Sequence, residues 1–231
     1  MNVDDVAVTA EYPADKLADI VRRQTELMQK YHHIEKANGL LQTDVVPVDI
    51  HDRFGQARLK DFAWRVTEEI AEATEAMIIH ADIPQHALEE LGDALHFMIE
   101  LDILSGIDFD QHIVGACNFD HECGLERLYH SLPRLDEPLQ LGSMPNSVGV
   151  SIVRDHAYSV VESLGKAMNC LKQKPWKQTH LLTDRGKYLS HLIAANHNLF
   201  ILCFTLMDAK GVYDVYCRKG AVNQFRIRSK Y

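Results

Sequence analysis

Apolar residues recur at intervals of three and four along most of this 231-residue chain, a period that suits helices and leaves little room for strands. Leu17, Ile20, Val21, Leu27, Met28, Tyr31 and Ile34 predict a first helix, which Gly39 stops. Residues from about 42 to 56 carry Pro47, Asp49, Asp52 and Gly55 without a helical period and predict a connecting loop. A second helix is expected from about 58 to 80. A third runs from Pro84, a residue suited to a first helical turn, to Gly106. Shorter helical pieces follow, until Pro133, Pro138, Gly142, Pro145, Asn146 and Gly149 mark a turn-rich linker. Beyond it, helices are expected at about 150 to 172, 184 to 209 and 212 to 228. Only Val45 to Ile50 has a strand-like alternation. The expected fold class is all-α, a helical bundle with a four-helix core that carries the site.

Composition narrows the class further. With 46% hydrophobic and 25% charged residues, the chain can bury a full core as one domain over 1–231 or as two fused halves. A net charge of -9, from 33 acidic and 24 basic residues, argues against a duplex nucleic-acid surface. The longest apolar stretches, such as Leu199 to Leu206, fall short of the roughly 20 residues of a membrane span. The start, Met-Asn-Val-Asp-Asp, lacks the basic and apolar regions of a signal peptide, so a soluble, cytoplasmic protein is expected. Five cysteines, Cys117, Cys123, Cys170, Cys203 and Cys217, form no CxxC pair and read as reduced thiols inside helices.

The two halves look like copies. Val66 to Met77 aligns with Val160 to Leu171, and Leu104 to Asp108 with Ala209 to Tyr213. In the second copy Glu69 becomes Ser163, Glu72 becomes Lys166, Glu90 becomes Ala195 and Asp93 becomes Asn198. The first half, about 14–118, would then keep an acidic site. The second, about 150–231, would be a degenerate copy that supports it.

Glu69 and Glu72 on the second helix, and Glu90 and Asp93 on the third, are each spaced i, i+3 and lie one above the other. At about 100° per residue, Glu69 falls on the stripe of Phe62, Val66, Ala73 and Ala76, whereas Glu68 and Glu75 turn to the solvated side. Glu90 aligns with Phe97, Leu101 and Leu104; Glu89, His96 and Glu100 are expected on an outer arc, with Asp93 at the edge. Four inward carboxylates need a compensating cation, because like charges at close range drive one another's pKa up. An all-oxygen donor set suits Mg²⁺. Near the C-terminus, Lys219, Asn223 and Arg226 share a helix face, with Tyr231 beyond them. A point charge, an amide and a planar fork are devices that grip phosphates.

The pattern Glu69-Ile-Ala-Glu72, 17 residues, then Glu90-Leu-Gly-Asp93 resembles the ExxE…ExxD signature of the all-α nucleotide pyrophosphohydrolases, which include MazG-like enzymes and dimeric dUTPases. Tyr216 to Arg226, continuing to Tyr231, is similar to the closing motif of the dimeric dUTPase and phage dCTPase-dUTPase branch. The resemblance implies that Glu69, Glu72, Glu90 and Asp93 bind two or more Mg²⁺, with Mn²⁺ a substitute, and that Lys219, Asn223 and Arg226 hold phosphates. It implies a base lying against Phe97, a Lys174-Pro-Trp-Lys177 segment beside the site, and a homodimer. Two departures stand out. Gln24 is followed four residues on by Met28, where dimeric dUTPases typically place Asn, so uracil selectivity does not carry over. Gly220 replaces an Asn after Lys219.

The expected activity is Mg²⁺-dependent cleavage of a nucleoside triphosphate to monophosphate and pyrophosphate, with dUTP and dCTP first among substrates. Glu69 is the candidate base, as the acid set deepest in its stripe. A purine-directed MazG-type enzyme and a non-catalytic nucleotide-binding module are the alternatives. A di-iron bundle lacks its second ExxH motif, and His51-Asp52 lacks the companions of an HD-type phosphohydrolase.

Overall fold

The chain's helix signals and its architecture meet in a computed structural model, which describes residues 12–39, 44–80, 84–115, 124–133, 139, 146–173, 178–179 and 181–229. Seven α-helices and a short π-helical turn make up the elements among these residues, with no strand. They are α1 (Lys16–Ala37), α2 (Arg53–His80), α3 (Gln85–Ser105), the π turn (Phe109–Val114), α4 (Gly124–Ser131), α5 (Asn146–Cys170), α6 (Arg185–Leu206) and α7 (Ala209–Ser229).

Local chemistry sets the ends. Asp15 caps α1 by accepting from the Ala18 N–H at 3.0 Å, and Asp184 caps α6 through the Lys187 N–H at 2.9 Å. Gly106 ends α3 in the left-handed conformation, φ 72°. Pro84 stands just before the first turn of α3, as its cap residue. Several expected boundaries move. Helix α2 begins five residues early, at Arg53, because Asp52 accepts from the Gly55 N–H and starts the helix inside the expected loop. Helix α5 starts at Asn146, so the last part of the expected linker is helical. Residues 45–50 form no strand; Val48 instead donates its N–H to the Leu104 carbonyl and pins the segment to the end of α3.

Helices α2 and α3 form an antiparallel hairpin, since Glu69 lies beside Glu90 while Phe62 lies beside Phe97. A second hairpin, α5 with α6, packs on the first through α2. Helix α3 is central, in contact with α1, α2, α6 and α7, and it is buried nearly all round. Four helices, α1, α2, α3 and α7, enclose the cavity described below. Gly106 caps α3 whereas Gly211 lies in the first turn of α7, so these two glycines are not structural equivalents. Their sequence alignment fails because α6 ends at Leu206 and α7 starts at Ala209. By length and composition α6 could cross a membrane, with a mean hydropathy of 1.4 over its most apolar window; 56% of that window is buried inside the fold. Cys170, Cys203 and Cys217 are free thiols in helices, and Cys117 and Cys123 lie outside the described residues.

Candidate active site

The hairpin brings three of the four predicted acids together. One oxygen each from Glu69, Glu72 and Glu90 lies within 4.8 Å of the others. Ala73 and Ala76, both buried, keep α2 slim beside them. Glu90 is the most enclosed of the three, 7% exposed, and its Oε1 lies 3.0 Å from His86 Nδ1. Glu69 is half-buried and therefore not the deepest acid. Glu72 is exposed, against the expectation of four inward carboxylates, because three steps of about 100° leave it about 60° round the helix from Glu69, on the wet side of α2. Burial first, then a hydrogen bond with Glu90 and the charges of Asp93, Glu90 and Glu72, pushes the Glu69 carboxyl up to about 8. A carboxyl held protonated at neutral pH by its neighbours is one that a cation would relieve.

Asp93 stands apart from the trio and pairs with Lys219 Nζ at 2.6 Å. Burial raises its pKa against the pull of Lys219. The pairing depends on close approach of α7 to α3 at Gly92: a Cβ there would sit 2.8 Å from Val215 Cγ1 and 3.0 Å from Lys219 Cγ. Asn223 and Arg226, further along α7, line the same cavity as Asp93 and Glu69. Thus the predicted phosphate face and the predicted acids do converge.

That cavity, about 240 Å³, runs between α1, α2, α3 and α7. Phe62 and Phe97 meet edge to face at 6.2 Å on one wall, and the Arg65 guanidinium lies 5.1 and 5.6 Å from their ring centres. Tyr31, Glu35, Gln24 and Glu100 complete the wall away from the acids. Of these, the sequence had pointed to Gln24 alone. Arg65 meets Phe62 of its own helix, three residues back, and Phe97 of α3; the second of these cation–π contacts is tertiary and has no signal in the spacing.

His96 and Glu100 are buried, 3% and 5% exposed, and do not occupy an outer arc. The central position of α3 is the reason: α1 and α7 cover the face that the period assigned to water. His96 stacks on Tyr216 at 4.0 Å, with its Nδ1 2.7 Å from Gln24 Oε1. Gln24 Nε2 is 2.9 Å from Glu100 Oε2. Burial lowers His96 to about 4 and raises Glu100 to about 7. Arg58 adds a buried cation behind this wall, 3.5 Å from Glu35 and in contact with His32, which burial and Arg58 together lower to about 4.

Lys174, Lys177 and Tyr231 lie outside the described residues. No family model matches this chain, and neither a curated protein nor a solved structure matches it.

Proposed function

We propose that this chain is a Mg²⁺-dependent nucleoside triphosphate pyrophosphohydrolase, acting on a deoxynucleotide such as dUTP or dCTP to give the monophosphate and pyrophosphate. The observation that carries the reading is the meeting of a three-carboxylate cluster with a cavity that Glu69, Asn223 and Arg226 all line. The donor set fits the cation. Ligands around one Mg²⁺, at about 2.1 Å each, stand up to about 4.2 Å apart, so oxygens of Glu72 and Glu90, within 4.8 Å of each other, would close on it with small side-chain rotations. Bound Mg²⁺ would neutralise phosphate charge and make water a better nucleophile near pH 7.

Glu72 and Glu90 hold the cation in this reading, with Glu69 between cation and substrate. Glu69 alone of the trio lines the cavity, which makes it the group placed to take the proton of the attacking water. Lys219, now on Asp93, orients the phosphates together with Asn223 and Arg226 in this reading. Phe97 and Phe62 offer the base an apolar face.

The test is pyrophosphate release from a panel of common NTPs and dNTPs with Mg²⁺. Glu72 is exposed, so Glu72→Ala should leave helical circular dichroism and unfolding unchanged while turnover falls at least about a hundredfold, the scale on which a missing electrostatic group at a reacting centre is felt. Unchanged turnover in Glu72→Ala would refute the site. Nucleotide binding with no pyrophosphate would point to the non-catalytic module.

A further inference from the structure

Glu100 stands on the cavity wall two turns along α3 from Asp93, and the hydrogen-bond network behind it defines what its free oxygen can do. Gln24 Nε2 lies 2.9 Å from Glu100 Oε2. Gln24 Oε1 lies 2.7 Å from His96 Nδ1 and 2.9 Å from Tyr216 Oη. His96 Nε2 is 3.1 Å from the Tyr216 carbonyl, and Tyr216 Oη is 3.2 Å from the Ile20 carbonyl. With the amide that way round, both imidazole nitrogens face oxygens that accept, and one phenol hydrogen must serve two carbonyls.

Turning the Gln24 amide by 180°, which changes its shape little, closes the network. Glu100 then donates an O–H from Oε2 to the Gln24 carbonyl. The amide's two hydrogens go to His96 Nδ1 and Tyr216 Oη, Tyr216 donates to the Ile20 carbonyl, and His96 Nε2–H donates to the Tyr216 carbonyl. Each donor has one acceptor when His96 is neutral and Glu100 holds one proton. Burial drives both groups in that direction.

With the amide turned in this way the Glu100 proton sits on Oε2, and Oε1 is left as an acceptor with no hydrogen to give. It makes no hydrogen bond among the described residues, His32 Nε2 being 3.9 Å away. We propose that Glu100 Oε1 selects the base: it accepts from an exocyclic amino group, so the cavity takes cytosine-type rather than uracil-type nucleotides. Resting on the pyrophosphohydrolase reading, this adds the substrate's base. An amino group completes the unmet oxygen, whereas an oxo group in the same place sets two acceptors against each other in a site from which water is displaced. The other polar groups on this part of the wall are Glu35, a carboxylate held by Arg58, and Arg65, whose guanidinium lies against Phe62 and Phe97.

The experiment compares pairs that differ only by amino against oxo, dCTP with dUTP and dATP with dITP, in kcat/KM with Mg²⁺. Calorimetric affinities for dCMP and dUMP give the same comparison without turnover. The amino member should win by at least about tenfold, the scale of one base-edge contrast. Glu100→Gln, whose amide can donate to an oxo group, should erase or invert the ratio. A triphosphate cleaved without amino preference, or a ratio unmoved by Glu100→Gln in a folded variant, overturns the base assignment and leaves the pyrophosphohydrolase reading standing. No pyrophosphate from any triphosphate, with no monophosphate bound, overturns both.

Discussion

Asn198 Nδ2 donates to Ser163 Oγ at 3.0 Å and to the Ser159 carbonyl at 3.1 Å, joining α6 to α5. By sequence alignment these two residues stand where Asp93 and Glu69 stand in the first hairpin. If the second hairpin is read as a copy that binds no cation, neutral partners are expected at these places, and Ser and Asn are what stands there. Asn198→Asp would put a carboxylate against the Ser159 carbonyl and should cost about 1–3 kcal/mol. Urea unfolding with and without Mg²⁺ checks this: the loss should be the same in both, with pyrophosphate release retained at permissive temperature.

Gly92→Ala tests the approach of α7. An alanine favours the helix by about 1 kcal/mol, yet its methyl would meet Val215 and the Lys219 stem at 2.8 and 3.0 Å. Overpacking of this kind costs about 1–3 kcal/mol, so the net change should be destabilising. The displaced Lys219 should also raise KM for the triphosphate more than it lowers kcat. A more stable variant with unaltered KM would show that the contact yields freely.

Stability should depend on pH in a defined sense. Glu69 and Glu100, at about 8 and about 7 in the fold against an ordinary 4.5, keep protons that the unfolded chain releases. His32 and His96, at about 4 against an ordinary 6.5, lack protons that the unfolded chain takes up. From 4.5 to 6.5 the two pairs oppose each other. From 6.5 to 8 the carboxyls act without them, and stability without divalent cations should fall as pH rises. Denaturant midpoints at pH 6.5 and pH 8 measure it, and Glu69→Gln should flatten the difference.

Cation binding should release protons. At pH 7 the carboxyl trio holds a proton on Glu69 that Mg²⁺ must displace, on the order of one per chain. Titration calorimetry in two buffers of different ionisation enthalpy reads that number directly. Identical heats in both would mean that no carboxyl in the cluster was protonated.

What the sequence disclosed depended on how many sides of a helix meet the protein. Helix α2 has one wet side, so a simple rotation separates Glu69 from exposed Glu68 and Glu75. Helix α3 has almost none, and the same rotation sends His96 and Glu100 to a solvent face that α1 and α7 cover. Nothing local to His96 announces Tyr216 beneath it, because that partner is 120 residues away in sequence. Gln24 drew notice only through the family resemblance, and its hydrogen bonds to α3 and α7 are tertiary. The all-α class was legible because it needs only the period. The start of α5 was not, since Pro145 and Asn146 are turn residues that also suit a helix entrance.

Glu90, Asp93, Phe97 and Glu100 all project from one rod, α3, over roughly 15 Å at 1.5 Å per residue. In the proposed enzyme, the separation between the place that handles charge and the place that reads a ring is therefore set by the pitch of a single rigid helix, and not by how loops happen to settle. A residue inserted between Asp93 and Phe97 would swing the two ends about 100° out of line, leaving each end chemically whole and the pair unable to hold one molecule.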